Sequence, residues 1–161
     1  QHTVAEFREV VTTLDRALEE WTLATDFVVG FPTETDADFQ ETVALLEDVR
    51  PETINVTRFS KRPGTDAAEM KGLGGTVKKE RSRDLSERKE RIVGAVHEDL
   101  LGSHREVLAV EPGTGDSLQA YDDAYHRIVI PDESAAGIDL GDRVTVEITD
   151  HNTFYAFGEP V

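Results

Sequence analysis

Leu23-Ala24-Thr25-Asp26-Phe27-Val28-Val29-Gly30-Phe31-Pro32-Thr33-Glu34-Thr35-Asp36-Ala37-Asp38-Phe39 is the stretch on which the fold turns. Phe27-Val28-Val29 is a short apolar run rich in β-branched residues, and it reads as a strand buried on both faces. Gly30-Phe31-Pro32 ends it. Thr35 followed three residues later by Asp38 predicts the cap of a new helix. A buried strand that feeds a helix through a Gly/Pro loop places residues 30–34 at the strand's carboxyl end. In barrels and open α/β sheets that end is where ligands sit. A tight turn with no ligand satisfies the same spacing.

Working outward, residues 3–20 predict an amphipathic helix. Thr3 and Glu6 make a capping box, and Val4, Phe7, Val10, Val11, Leu14, Ala17 and Leu18 recur at helical spacing. Trp21 is expected to pack beneath its end. After the central stretch, a helix over 36–49 carries Phe39, Val43, Leu46 and Val49 on one face, and Pro51 stops it. Residues 53–59 alternate and are β-branched, which predicts a second strand. Helix, strand, helix, strand implies parallel pairing with right-handed crossovers. Two such strands cannot close a barrel, so the expectation is a part of something larger. The first residue, Gln1, points the same way.

Ser60-Lys61-Arg62-Pro63-Gly64-Thr65 is a basic loop closed by a Pro-Gly turn, and Gly72-Leu73-Gly74-Gly75 reads as a flexible connection rather than a phosphate-cradling loop. Residues 76–101 predict a long, highly charged helix with a narrow stripe of Leu85, Ile92, Val96 and Leu100. Glu87 and Arg91 are a favourable pair on it. A helix this polar is expected outside, bridging two units. From Arg105 the pattern becomes five short alternating segments, at 106–111, 117–121, 126–130, 143–149 and 153–157. They predict a small barrel of the oligonucleotide-binding type, with an SH3-like barrel as the competitor. The boundary is placed near residue 102, giving units of 1–101 and 102–161.

The formal charge is −16, with no cysteine among the 161 residues. This chain therefore offers no thiolate to a metal or an iron–sulfur cluster. The five histidines show no metal spacing. Acidity spread along the chain suits a very salty cytoplasm, where the Debye length falls to ~3 Å near 1 M salt and only local charge counts. Locally the balance shifts. Residues 61–105 hold 11 Lys+Arg against 8 Asp+Glu, whereas residues 1–60 hold 4 against 13 and residues 106–161 hold 2 against 12. No run approaches membrane-spanning length and none resembles a signal peptide, so the expected location is the cytoplasm.

Val28-Val29-Gly30-Phe31-Pro32-Thr33-Glu34-Thr35, Arg58-Phe59-Ser60-Lys61-Arg62-Pro63-Gly64-Thr65-Asp66-Ala67-Ala68 and the terminal strands resemble the radical-SAM methylthiotransferases. The first two are similar to that family's strand-loop-helix motif and to its last barrel strand with its basic exit loop. The last segment resembles the TRAM domain, a small RNA-binding module. Asn55-Val56-Thr57-Arg58-Phe59-Ser60-Lys61 is most similar to the archaeal branch, which acts on threonylcarbamoyladenosine beside the tRNA anticodon. The resemblance implies an α/β part followed by an all-β part. These would be the C-terminal βα units of a partial radical-SAM barrel, a linking helix and a five-stranded TRAM barrel.

It also implies S-adenosylmethionine and two [4Fe–4S] clusters in the full-length enzyme, with the cluster cysteines outside this chain. By the same resemblance, Gly30, Phe31, Pro32, Glu34 and Arg58 are the expected cofactor contacts. Gly30 would let backbone approach the adenosyl group, Glu34 would accept hydrogen bonds, and Arg58 would pair with the methionyl carboxylate. Strand parity groups Arg58 with Ile54 and Val56 and leaves open which face it takes. Lys61, Arg62, Lys78, Lys79, Arg81 and Arg83 are the cations expected to meet phosphates. Tyr121, Tyr125, Arg127, Phe154 and Tyr155 are the expected stacking faces, with one of the adjacent Phe154 and Tyr155 turned to the core. The expected partners are the tRNA anticodon arm and the remainder of the polypeptide. The competing readings are an RNA-binding module without catalysis and a methylthiotransferase acting on a ribosomal-protein aspartate.

Overall fold

The computed structural model describes residues 3–161. Helix α1 (Val4–Ala17) begins where Thr3 and Glu6 exchange hydrogen bonds in a capping box, and Trp21 folds back to donate its indole N–H to Asp15 at 3.1 Å. Strand β1 (Ala24–Val29) leads through residues 30–34 to helix α2 (Asp36–Val49), which starts in a second capping box between Thr35 and Asp38. Arg50 takes a left-handed conformation, φ 40°, and Pro51 follows. Strand β2 (Thr53–Arg58) then pairs parallel to β1, in register from Ala24 opposite Thr53 to Val29 opposite Arg58.

Partners in a parallel pair share a face. Phe27, Val29 and Ile54 are buried on the helix-covered side with Phe39, Val43, Leu46 and Leu85. The opposite side is open: Val28 is 56% exposed. The run at 27–29 is therefore buried on one face only, because this two-stranded sheet has a helix layer on one side alone. Arg58 lies opposite Val29, on the parity of the covered face, though its own side chain is exposed at the strand end.

A single turn, α3 (Asp66–Glu69), precedes α4 (Gly75–Asp99). Leu85, Ile92 and Leu100 are buried as the stripe predicts, joined by Val93 and His97. The expected Glu87–Arg91 pair does not form. Arg91 reaches Glu47 on α2 instead, as does Arg88 at 2.8 Å, while Glu87 pairs loosely with Arg83. A carboxylate on a neighbouring helix, itself half-buried, outcompetes an exposed one along the same helix.

The chain divides into two compact units inside α4, not at its end. Leu23–Ile92 forms one, and Val93–Val161 with residues 3–22 forms the other. α1 belongs with the C-terminal unit, where Arg105 pairs with Glu20. Among the described residues no helix is long and apolar enough to cross a membrane.

The C-terminal unit is a closed five-stranded barrel of β3 (His104–Pro112), β4 (Leu118–Asp122), β5 (Arg127–Ile130), β6 (Arg143–His151) and β7 (Ala156–Pro160), in the order β3-β4-β5-β7-β6. Its third and fifth strands run parallel, Ile128 opposite Ala156. That pairing makes the topology the oligonucleotide-binding type and excludes the SH3-like alternative, whose strands neighbour one another in sequence order. Val107, Ala109, Ala120, Ile128, Ile130, Val146, Ile148 and Ala156 fill the interior.

The last strand begins three residues later than the alternation suggests. Asn152 holds a turn through 152–155, its side-chain oxygen accepting from the N–H groups of Phe154 (2.7 Å) and Tyr155 (3.0 Å). Neither aromatic enters the core; Ala156 does, and Phe154 is 64% exposed. Gly158 faces inward beside it. A Cβ there would lie 2.7 Å from Val146 Cγ2 and 3.0 Å from Ile128 Cγ2. Gly158→Ala is expected to destabilise the barrel by about 1–3 kcal/mol through overpacking, read from the midpoint of chemical denaturation followed by circular dichroism.

Candidate functional site

Gly30 sits in a left-handed conformation, φ +80°, directly against the stem of Lys78, and an added Cβ would lie 2.3 Å from Lys78 Cγ. Lys78 runs on to donate to the carbonyl of Phe59 at 3.3 Å. Glu34 turns back under the loop. Its Oε2 accepts from the N–H groups of Gly30 and, at 3.1 Å, Phe31. Its Oε1 lies 2.8 Å from Nη1 of Arg81. Arg81, 6% exposed, also bonds the carbonyl of Glu34 (3.2 Å) and the carboxylate of Asp36 (2.6 Å) and lies over the Phe39 ring.

Gly30 makes room for the Lys78 stem. Glu34 Oε2 is taken up by the two amides, while Oε1 faces the Arg81 guanidinium as an ion pair without a hydrogen bond. Lys78 and Arg81 clamp the first turns of α4 to the loops after β1 and β2 instead of facing solvent. Phe31 is outside, 39% exposed and edge-on to Phe59 at 5.1 Å. Pro32 is half-buried beside it.

A cleft of about 490 Å³ at the carboxyl end of β2 is lined by Val28, Thr57, Arg58, Ser60, Arg62 and Thr65, among others. No carboxylate pairs with Arg58 or Arg62 among the described residues, so two guanidinium groups and the hydroxyls of Thr57 and Ser60 are available there to an anion; the Thr65 hydroxyl donates to the Arg62 carbonyl at 2.8 Å. Lys61 is committed elsewhere, donating to the carbonyls of Ala68 (2.6 Å) and Met70 (2.9 Å) around the end of α3. Lys79 is exposed on α4.

A second cleft, of about 650 Å³, lies on the outer face of the barrel. Its floor is Gln119 of β4 with Arg127 and Val129 of β5, and Tyr155 and Phe157 form one wall. Thr114 and Ser117 of the β3–β4 loop form part of the other, with Asp132 and Glu133 on the rim. The Arg127 guanidinium lies 5.4 Å from the Tyr155 ring centre, and Tyr155 meets Phe157 edge-on at 5.2 Å. Gln119 accepts from one Arg127 nitrogen, while Arg127 Nε is buried without a partner. A flat cation layered against an aromatic ring suits stacking of a planar base. Lys and Arg are otherwise scarce here: residues 106–161 contain only Arg127 and Arg143.

The TRAM domain family matches residues 99–161, which hold all five strands of the closed barrel. That match takes in the whole barrel and about two-fifths of the chain. Over nearly its whole length the chain is similar to the C-terminal part of threonylcarbamoyladenosine tRNA methylthiotransferases. It is 34% identical over 158 residues to a probable enzyme of that name from Archaeoglobus fulgidus, covering 98% of this chain and 36% of the relative. The corresponding figures for the Pyrococcus horikoshii protein are 39% over 131 residues, 81% and 31%. For the human enzyme they are 34% over 164 residues, 100% and 27%. The chain thus spans about a third of the length of the relatives it matches.

The turn that carries Phe154 and Tyr155 is tied to α4. His97 is 5% exposed, and its Nδ1 lies 2.9 Å from the carbonyl of Asn152, so the neutral ring donates there. Burial pushes the His97 pKa below its ordinary 6.5; the Asn152 bond partly offsets this, and the neighbouring His151 and His126 add to it. A depressed histidine pKa means the folded state binds fewer protons than the unfolded one. Its contribution is therefore intact above about pH 6.5 and is lost as pH falls towards the folded value. Melting temperature is expected to drop between pH 7 and pH 5 in the parent protein and to drop less in His97→Asn.

Proposed function

We propose that this chain is the C-terminal part of a cytoplasmic tRNA methylthiotransferase, which adds a methylthio group to carbon 2 of N6-threonylcarbamoyladenosine next to the anticodon. The observation that carries this reading is the similarity over nearly the whole chain to enzymes of that name. The outer cleft of the TRAM barrel supports the RNA-binding half of the reading. Its task is to hold unpaired nucleotides of the anticodon arm through Arg127 and Tyr155, with Arg62 and Lys79 meeting phosphates from the other unit.

The two-stranded α/β unit is read as the last βα units of a radical-SAM barrel. Its exposed sheet face, with Val28 at its centre, would then be covered by the remainder of the polypeptide. The donor set of the cleft after β2 fits the carboxylate of S-adenosylmethionine, with Arg58 as the pairing group and Ser60 as a further donor. Bound there, S-adenosylmethionine would supply a carbon radical once reductively cleaved. This chain's residues would orient it: the Lys78 and Arg81 clamp fixes the neighbouring loop, and Phe31 with Phe59 forms an apolar edge against water. The two [4Fe–4S] clusters do not fit this chain, which has no thiolate to hold them.

Deleting the gene and measuring tRNA nucleosides by mass spectrometry tests the reading. The methylthio derivative of threonylcarbamoyladenosine is expected to disappear. An unchanged adenosine modification profile overturns the assignment.

A further inference from the structure

Tyr125 has a backbone conformation that bulky side chains avoid. It sits at φ +75° in the turn between β4 and β5, where glycine or asparagine is the usual occupant. Three bonds hold the turn in place. Tyr125 N–H donates to the Asp122 carbonyl at 2.9 Å. The buried Asp122 carboxylate accepts from the His126 N–H and from His126 Nδ1, each at 2.8 Å. Burial by itself would raise the Asp122 pKa, but the His126 hydrogen bonds and charge, with Arg105 at 3.6 Å, outweigh it and hold the carboxyl below its ordinary range.

The ring so placed gains little from the protein's interior. Tyr125 is 72% exposed, stacked on Tyr121 with centroids 4.7 Å apart and planes 26° from parallel, one broad face open to solvent. Strain retained at a surface aromatic points to a use for that aromatic.

Beside the pair lies a third cleft, of about 330 Å³, lined by Leu108, Val110, Tyr121, Tyr125, Asp123 and Arg143, among others. It continues the face already described. Leu108, Tyr121 and Arg127 are cross-strand partners in one row of β3, β4 and β5. All three tyrosines of the chain and both cations of residues 106–161 therefore converge on one surface, in a segment otherwise rich in acid. From β4 to β7 across β5 is two strand steps, about 10 Å, a span suited to successive nucleotides of an extended strand.

We infer that Tyr125, backed by Tyr121, is a second stacking platform that binds an unpaired RNA base next to the nucleotide held by Arg127 and Tyr155. This rests on the RNA-binding reading of the barrel and extends it. The occupant is a base rather than a phosphate, because Arg143 is already paired with Glu106 (2.9 Å) and Asp123 (3.3 Å). The contact is therefore stacking with little charge neutralisation, and its strength is insensitive to salt.

The test is fluorescence anisotropy of the whole chain with a labelled single-stranded octauridylate and octaadenylate, titrated from low to high salt. Tyr125→Gly relieves the backbone strain while removing the ring. It is expected to melt no lower than the parent and to bind about tenfold more weakly, with the slope of log affinity against log salt unchanged. If Tyr125→Gly binds as the parent does while Tyr155→Ala is weakened, the second platform is wrong and the RNA reading stands. If the parent binds neither oligonucleotide, both fail. A protein segment as the true occupant gives the first of these two results.

Discussion

Arg81→Ala is expected to cost about 3–5 kcal/mol in the unit formed by Leu23–Ile92, the size of effect seen when one partner of a buried ion pair is removed. The partner that matters is Glu34, whose side chain is 11% exposed against 7% for Arg81. Asp36 also touches the guanidinium but is fully exposed, so its pair adds little. Without Arg81, Glu34 keeps its bonds to the Gly30 and Phe31 amides and loses the cation facing its other oxygen. A part-buried carboxylate left without that cation swings towards water, which releases the loop. Arg81→Ala with Glu34→Gln should therefore be less damaging than the two single losses added together, with a coupling of about 1–3 kcal/mol. Hydrogen exchange at the Gly30 and Phe31 amides gives the local readout: both should lose protection in Arg81→Ala. A loss under 1 kcal/mol with both amides still protected would show that the clamp does not hold the loop.

That clamp marks where sequence reading stopped. Thr35 and Asp38 made the start of α2 legible to the residue, because a capping box is a local hydrogen-bond pattern. The five barrel strands were legible from alternation, but the choice between the oligonucleotide-binding and SH3-like types stayed open. What alternation cannot carry is pairing between distant strands: the parallel contact of Ile128 with Ala156 is visible only in the fold. Lys78 and Arg81 were expected to meet phosphates because a polar helix usually presents its charged residues outward. The spacing held a signal all the same. Counting back from Leu85 by four and by seven gives Arg81 and Lys78, so both lie on the buried stripe. A long stem that packs while its head finds an acceptor satisfies that position as well as an apolar residue does. Tyr125 is the reverse case. Its residue type marked it as a stacking face, but its strained backbone had no counterpart in the sequence pattern.

Removing the cation and the ring of the larger barrel cleft should give the largest binding effects, and in different ways. Tyr155→Ala takes away a stacking surface worth about 1–3 kcal/mol per base, so affinity for single-stranded RNA should fall roughly tenfold or more at every salt concentration. Arg127→Ala removes a comparable contact and also the cation nearest the bound strand, so the slope of log affinity against log salt should shrink by about one. Arg127→Lys separates the two contributions. It keeps the charge and the salt slope but loses the planar contact with Tyr155, and with it part of the affinity. The parent's own slope should be shallow. Residues 106–161 carry two cations against twelve acids, and Asp132 and Glu133 stand on the rim of the cleft. Binding through rings rather than charge is what an acidic protein needs if it works where salt screens beyond ~3 Å. A steep parent slope that Arg127→Ala leaves untouched would place the RNA on other cations, with Arg62 and Lys79 the next to substitute.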